Sequence, residues 1–239
     1  MKQRQGTAIL FFSRSGTAEA VSKHWLGKES ERKNVFIANQ LIAHTKAVLA
    51  ATGLPVYHFD EKKQEGKAFG SRLANAFASL FDSGYDYVIC VGNDSPGIIE
   101  LDWQSIESEA QSGQLILGPD YRGGAYLIGL PRELFAAAAF AGLPWKTPDL
   151  FLALQKLGDD KVFLLVNLTD LNDASDLARY ASDAFGYRPL QPLLRLFFFS
   201  SKGFRFGYLQ NLNPSIFLSE IGLRAPPSLQ NRYLGCCYF

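Results

Sequence analysis

Residues 85–96, Tyr85-Asp86-Tyr87-Val88-Ile89-Cys90-Val91-Gly92-Asn93-Asp94-Ser95-Pro96, pass abruptly from an apolar run to a polar turn. A short, continuous apolar run bounded by turn residues is how a buried strand reads. The stop places a carboxylate, Asp94, just past the strand's carboxyl end. A second unit of the same kind follows. Gln114-Leu115-Ile116-Leu117 breaks at Gly118-Pro119-Asp120-Tyr121-Arg122-Gly123-Gly124, and the chain resumes as Ala125-Tyr126-Leu127-Ile128-Gly129-Leu130. In an open α/β sheet, ligands bind outside the carboxyl ends of the strands, where loops converge over the sheet edge. Two strands that end in loops of acidic and small residues therefore mark the first candidate site.

Working outward, residues 7–12 read as another buried strand, followed by a small-residue loop over 13–18. Apolar residues at three- and four-residue steps predict a helix over 34–51, stopped by Gly53. Residues 54–59 read as a strand, 69–81 as a helix with its stripe on Phe69, Leu73, Ala76, Phe77 and Leu80, and 98–110 as a polar helix. Further helices are expected over 131–140, 148–157 and 173–185, with a strand over 162–167. Strands alternating with helices of this length indicate βαβ units and a mainly parallel sheet with helices on both faces. After Gly186 the character changes to an apolar and aromatic tail, which packs on its own domain or forms a subunit contact.

The chain has 239 residues, with 24 Lys and Arg against 23 Asp and Glu, a formal net charge of +1. No overall field draws in nucleic acid or an anionic membrane. A chain of this length buries enough surface to fold without disulfides or metal, and no apolar run reaches the ~20 residues of a membrane helix. The three cysteines, Cys90, Cys236 and Cys237, have no metal-ligand spacing. With no signal-peptide-like apolar region near Met1, the expected setting is a reducing cytoplasm.

Each candidate residue has a chemical and a structural reading. Asp94 is placed to hold Mg²⁺ or Mn²⁺, hard cations that prefer oxygen ligands and bridge to phosphates; alternatively, it or Ser95 caps the next helix. The loop Ser13-Arg14-Ser15-Gly16-Thr17-Ala18 offers backbone N–H groups to phosphates, with Arg14 and Lys23 supplying positive charge; otherwise it is a solvated loop. Gly123-Gly124 allows close approach of a sugar or a tight turn between strands. In Asp170-Leu171-Asn172-Asp173, Asp170 is placed to supply a second metal ligand facing Asp94; alternatively the segment is a helix N-terminus, which suits Asp173. Trp145 stacks on a sugar or plugs the core. His24, His44 and His58 form no pair with metal spacing.

Several motifs recur in a fixed order: Gln64-Glu65-Gly66, Phe69-Gly70, Arg72-Leu73, Ala76-Phe77, Val88 through Pro96, Leu117-Gly118-Pro119, Gly123 through Leu130, Pro144-Trp145-Lys146-Thr147 and Asp170 through Leu177. Together, over residues 7–177, this order resembles a bacterial glycosyltransferase family of the nucleotide-diphospho-sugar transferase superfamily, which also includes guanylyltransferases. The resemblance implies a GT-A-like, three-layer α/β/α fold with a mainly parallel mixed sheet over 1–185; the residues beyond the match, 186–239, are expected to form a C-terminal extension packed on the same domain. It implies a metal-dependent glycosyltransferase with a nucleotide-diphosphate sugar donor and an acceptor that the sequence does not name. Asp94 and Asp170 would hold Mg²⁺ or Mn²⁺. Ser13, Arg14, Gly16, Lys23 and Arg72 would bind the nucleotide. Arg122, Gly123, Gly124 and Trp145 would shape the sugar and acceptor pocket.

The chain departs from the family pattern in three places. Ser22-Lys23-His24-Trp25-Leu26 replaces a Lys-Thr-Arg-Leu run and keeps only its lysine. Arg122 stands where an Asp usually precedes the glycine pair, with Asp120 two residues earlier, and Asn172 takes an acidic position of the closing motif. A nucleotidyltransferase that joins an NTP to a phosphorylated acceptor, and a nucleotide or sugar binder with altered catalysis, stay open as alternatives.

Overall fold

The apolar runs become inner strands because both of their faces are covered. In the computed structural model, which describes residues 5–182 together with Leu190 and Leu194, β1 spans Gln5–Phe12 and β3 spans Tyr85–Val91. Ala8, Leu10 and Phe12 of β1 and Val88 and Cys90 of β3 face one side, and Ile9, Phe11, Tyr87, Ile89 and Val91 face the other. The remaining strands are β2 Val56–Phe59, β4 Leu115–Pro119, β5 Ala125–Pro131 and β6 Val162–Leu164, in the order β2-β1-β3-β5-β4-β6. β1 pairs in parallel with β2 and β3, and β4 with β6. β5 runs antiparallel between β3 and β4. The sheet is therefore mixed, with β5 as the one reversed strand among those described.

The helices are α1 Gly16–Lys23, α2 Glu31–Ala50, α3 Phe69–Asp82, α4 Trp103–Gln111, α5 Ala137–Ala141, α6 Leu150–Gly158 and α7 Ala174–Ser182. α3, α5 and α6 cover one face through Leu73, Phe77, Phe140, Leu150 and Leu154. Phe77 lies within 5.1–6.1 Å of the rings of Phe81, Phe135 and Phe140. α2 and α4 cover the other face through Ile42, Val48, Leu49, Ile106 and Ala110. The result is the expected three-layer α/β/α sandwich. A third cluster joins Trp25, Ile37 and Leu41 to Leu171, Leu177 and Tyr180, with Leu190 and Leu194 packed against them.

Three local expectations are corrected. The stretch after β1 is a loop only to Ser15; the Ser15 hydroxyl then accepts from the Ala18 N–H at 3.4 Å and α1 begins at Gly16. The helix expected over 98–110 is a 3₁₀ turn, Pro96–Glu100, followed by α4, because the Asp102 carboxylate accepts from the N–H groups of Gln104 and Ser105 and starts a new helix. The segment after Pro131 is a 3₁₀ turn, Arg132–Leu134, and the short α5.

The chain divides into two compact units, Met1–Phe204 and Arg205–Phe239. All described residues belong to the first. The expected boundary at 185/186, Cys236, Cys237 and the aromatic tail lie outside the described residues. Among the described residues no helix is long and apolar enough to cross a membrane.

Candidate functional site

The segments 13–15 after β1, 92–95 after β3 and 165–173 after β6 leave the same edge of the sheet, because those strands point the same way. The reversal of β5 returns the β4–β5 turn, 120–124, to that edge as well. The Asp120 carboxylate holds this turn by accepting from the N–H groups of Arg122 and Gly124, both at 2.7 Å. The closing segment is clipped onto the loop after β3 by a hydrogen bond from Leu171 N–H to the Asp94 carbonyl, 2.8 Å. This bond brings Asp170 beside Asp94, although 75 residues separate Ser95 from Asp170 in sequence.

A cavity of about 380 Å³ opens where these segments meet. Of the residues expected at a site, Ser13, Arg14, Lys23, Arg72, Asp94, Gly124, Trp145 and Asp170 line it. Ser13 shares a hydrogen bond of 2.8 Å with His58 Nε2, and the His58 ring stacks on Phe11 at 4.5 Å. Burial, then the charge of Lys46, lowers the His58 pKa. The Gln64 amide donates to the carbonyls of Ser13 and Phe59 and pins the loop after β1 from behind. Trp145 plugs the wall: its indole N–H donates to the Phe140 carbonyl at 2.9 Å and its rings pack on Phe69 and Phe140. Its partner surface is tight, since a Cβ at Gly70 would meet Trp145 Cδ1 at 2.3 Å.

Not every expected residue reaches the cavity. Gly16 is buried at the start of α1, where a Cβ would meet Asn39 Oδ1 at 2.0 Å; its smallness serves the packing of α1 on α2. Gly123 has φ +84° and lies against the Pro148 carbonyl, which is the tight-turn reading. Arg122 turns to a neighbouring cavity of about 480 Å³, lined also by Tyr121, Thr169 and Arg179, and Asp120 and Asp170 lie on both cavities. The Arg122 guanidinium donates to Asp173 at 2.9 Å and Asp176 at 2.8 Å, so it ties the β4–β5 turn to the start of α7. Asp173 also accepts from the N–H groups of Ser175 and Asp176, and so caps α7 as expected. Its hydrogen bond from the Ser175 hydroxyl, joined by those from the Asp176 N–H and Arg122, holds its pKa well below the usual range.

The electrostatic centre is the group formed by Asp94, Asp170, Lys23 and Glu19. Burial, reinforced by the charge of Asp94, raises the Asp170 pKa to about 7, against a hydrogen bond from the Ser95 hydroxyl that lowers it. Asp94 caps no helix, and its Oδ1 is a buried atom without an aligned hydrogen bond, although the Lys23 ammonium lies 2.7 Å away. Glu19 is 5% exposed, and burial, then Asp94, raises its pKa. Two adjacent carboxylates whose mutual repulsion a cation would relieve form a hard, all-oxygen donor set, which fits Mg²⁺ or Mn²⁺. Among the described residues no three Asp, Glu, His or Cys side chains close into a metal cage. A cation here would therefore complete its shell with water or ligand oxygens, as Mg²⁺ commonly does with phosphates. Glu19 was not foreseen from the sequence. Its signal is the i, i+4 spacing to Lys23, visible only once α1 is recognised as a helix.

Comparison with solved structures places the fold. The structure of a "putative nucleotide-diphospho-sugar transferase" from Desulfovibrio desulfuricans G20 superposes with a TM-score of 0.64 at 20% identity, over 81% of this chain and 95% of that one. Rv0371c from Mycobacterium tuberculosis H37Rv superposes with a TM-score of 0.40 at 16% identity, over 75% of this chain and 98% of that one. Among curated proteins none matches. The first superposition shows the nucleotide-diphospho-sugar transferase fold, in agreement with the six-stranded mixed sheet. A family model described as "Uncharacterized protein conserved in bacteria (DUF2064)" matches residues 24–147. That match spans more than half of the sequence, and the chain belongs to this bacterial family.

Proposed function

We propose that the protein transfers a sugar from a nucleotide-diphosphate donor to an acceptor, with a divalent cation held by Asp94 and Asp170. The observation that carries the reading is the meeting of Asp94, Asp170 and Lys23 in one cavity at the carboxyl ends of β1, β3 and β6. Such an edge is where this class of sheet binds its ligands. Bound Mg²⁺ or Mn²⁺ supplies Lewis-acid stabilisation of the charge that develops on the departing diphosphate. The chain's own residues do the rest. Arg14, Lys23 and Arg72 offer cations to the diphosphate. Ser13, oriented by His58 and Gln64, presents its hydroxyl and backbone to the nucleotide. Gly124 leaves room beside Asp120, and Trp145 forms a wall of the cavity.

A second reading, a nucleotidyltransferase acting on an NTP, draws on the additional cation Lys146 on the same cavity, which together with Arg14, Lys23 and Arg72 suits a more highly charged triphosphate. A thermal-shift panel of UDP, GDP, CDP and dTDP sugars and the corresponding triphosphates, each with Mn²⁺, Mg²⁺ or EDTA, separates the readings. A ligand at 100 times its dissociation constant adds about 2.7 kcal/mol of stability. The expected outcome is a metal-dependent rise in Tm with one nucleotide sugar. A rise confined to a triphosphate favours the second reading, and no rise with any nucleotide overturns both.

A further inference from the structure

Lys23 is the residue whose surroundings fit its assigned task least. A lysine that serves only as a phosphate anchor would leave its N–H groups free to face the ligand. Here the ammonium is enclosed by protein oxygens: Asp94 Oδ1 at 2.7 Å, Asn172 Oδ1 at 3.0 Å, the Leu171 carbonyl at 3.2 Å and Glu19 Oε1 at 3.5 Å. The side chain is 10% exposed and its Nζ lies 5.6 Å from the centre of the Trp25 ring. The cage is rigid on its far side, because the Trp25 indole N–H also donates to the Leu171 carbonyl at 2.8 Å. An ammonium has three protons, and this shell provides four oxygens for them.

We infer that Lys23 is the resident cation of the Asp94 site, and that a divalent ion reaches Asp94 only by displacing the ammonium. The inference rests on the reading of Asp94 as a metal ligand and adds an order to the binding events. Lys23 Nζ and a divalent ion would be like charges on one carboxylate, so they exclude each other. In the ligand-free protein the metal therefore binds weakly. A donor diphosphate gives the displaced ammonium new oxygens to contact, so donor and metal enter together and each raises the affinity for the other by the same factor. The neighbouring Trp25, 1% exposed, is turned inward against the same carbonyl and walls the cage.

The test uses Mn²⁺ alone, with free ion counted by electron paramagnetic resonance and folding checked by circular dichroism. The full-length protein is compared with Lys23→Met, Asp94→Asn and the double variant, without nucleotide. Lys23→Met is expected to bind Mn²⁺ at least tenfold more tightly than the wild type, and the double variant to lose that gain. Equal affinity of Lys23→Met and wild type, with weaker binding by Asp94→Asn, overturns the inference and leaves the metal-ligand reading standing. A double variant that keeps the gain of Lys23→Met, or no binding by any variant, overturns both. Where Lys23→Met does not fold, Asn172→Ala removes one oxygen of the cage without touching Asp94. It is expected to bind Mn²⁺ several-fold more tightly than wild type, and equal affinity overturns the inference.

Discussion

Asp94→Ala is expected to abolish the metal-dependent stabilisation by a nucleotide sugar and to lower the rate of sugar transfer by at least ~10³-fold, since electrostatic contacts to a developing charge each carry about 10²–10³ and here a whole cation is lost. The fold should survive the change. Lys23 keeps Asn172, the Leu171 carbonyl and Glu19 as partners, and Asp170 loses the like charge beside it. The backbone clip from Leu171 N–H to the carbonyl of residue 94 does not depend on the side chain. Thermal melts with and without ligand separate the two effects: the ligand-free Tm stays near wild type while the ligand-induced rise disappears. A variant that keeps its metal-dependent rise would show that the cation, if bound, is held elsewhere.

Asp170→Asn should make the ligand-free protein more stable at pH 8 and leave it unchanged near pH 4. In the folded chain Asp170 holds its proton to about pH 7, chiefly because it is buried and secondly because Asp94 is charged; its ordinary value is 3.8. A carboxyl group with a raised folded pKa contributes its stability below the unfolded value and loses it as pH rises through the folded one. For Asp170 that window runs from about pH 4 to about pH 7. At roughly 1.4 kcal/mol per pH unit the loss is at most about 4–5 kcal/mol. The substituted amide cannot ionise and can still accept from the Ser95 hydroxyl, so the variant escapes the loss. Urea unfolding at pH 4 and pH 8 measures it. Equal or lower stability of the variant at pH 8 would mean that Asp170 is not strained by its surroundings. The gain at pH 8 should come with impaired metal binding, the usual exchange of stability for function at a strained site.

The strands were legible because strands buried on both faces read as unbroken apolar runs, and Val88–Val91 or Ala8–Phe12 have no other plausible use. The layers followed from the alternation of βαβ units. The reversal of β5 was harder to read, since its residues are as apolar as those of a parallel strand and only the five-residue turn from Asp120 to Gly124 hints at a hairpin. α1 was missed because its first turn, Gly16-Thr17-Ala18, is small and polar, and its one buried acidic residue, Glu19, gives no apolar stripe to read. At the site, Asp94 and Asp170 could be proposed from their places after strands. The contact of Lys23 with Asp94, the clip from Leu171 and the capture of Arg122 by Asp173 and Asp176 join residues tens of positions apart, and no local pattern announces them.

In the proposed reaction the cavity at the carboxyl ends of the strands breaks the bond between a sugar and a nucleoside diphosphate. Phosphorus NMR on the protein at near-stoichiometric concentration, with Mg²⁺ and the nucleotide sugar that raises Tm, tests it most directly, because slow transfer to water reports the reaction before the acceptor is known. Free nucleoside diphosphate is expected to accumulate in the wild type and not in Asp94→Ala. A donor that binds and stays intact, or pyrophosphate released from a triphosphate instead, would contradict it.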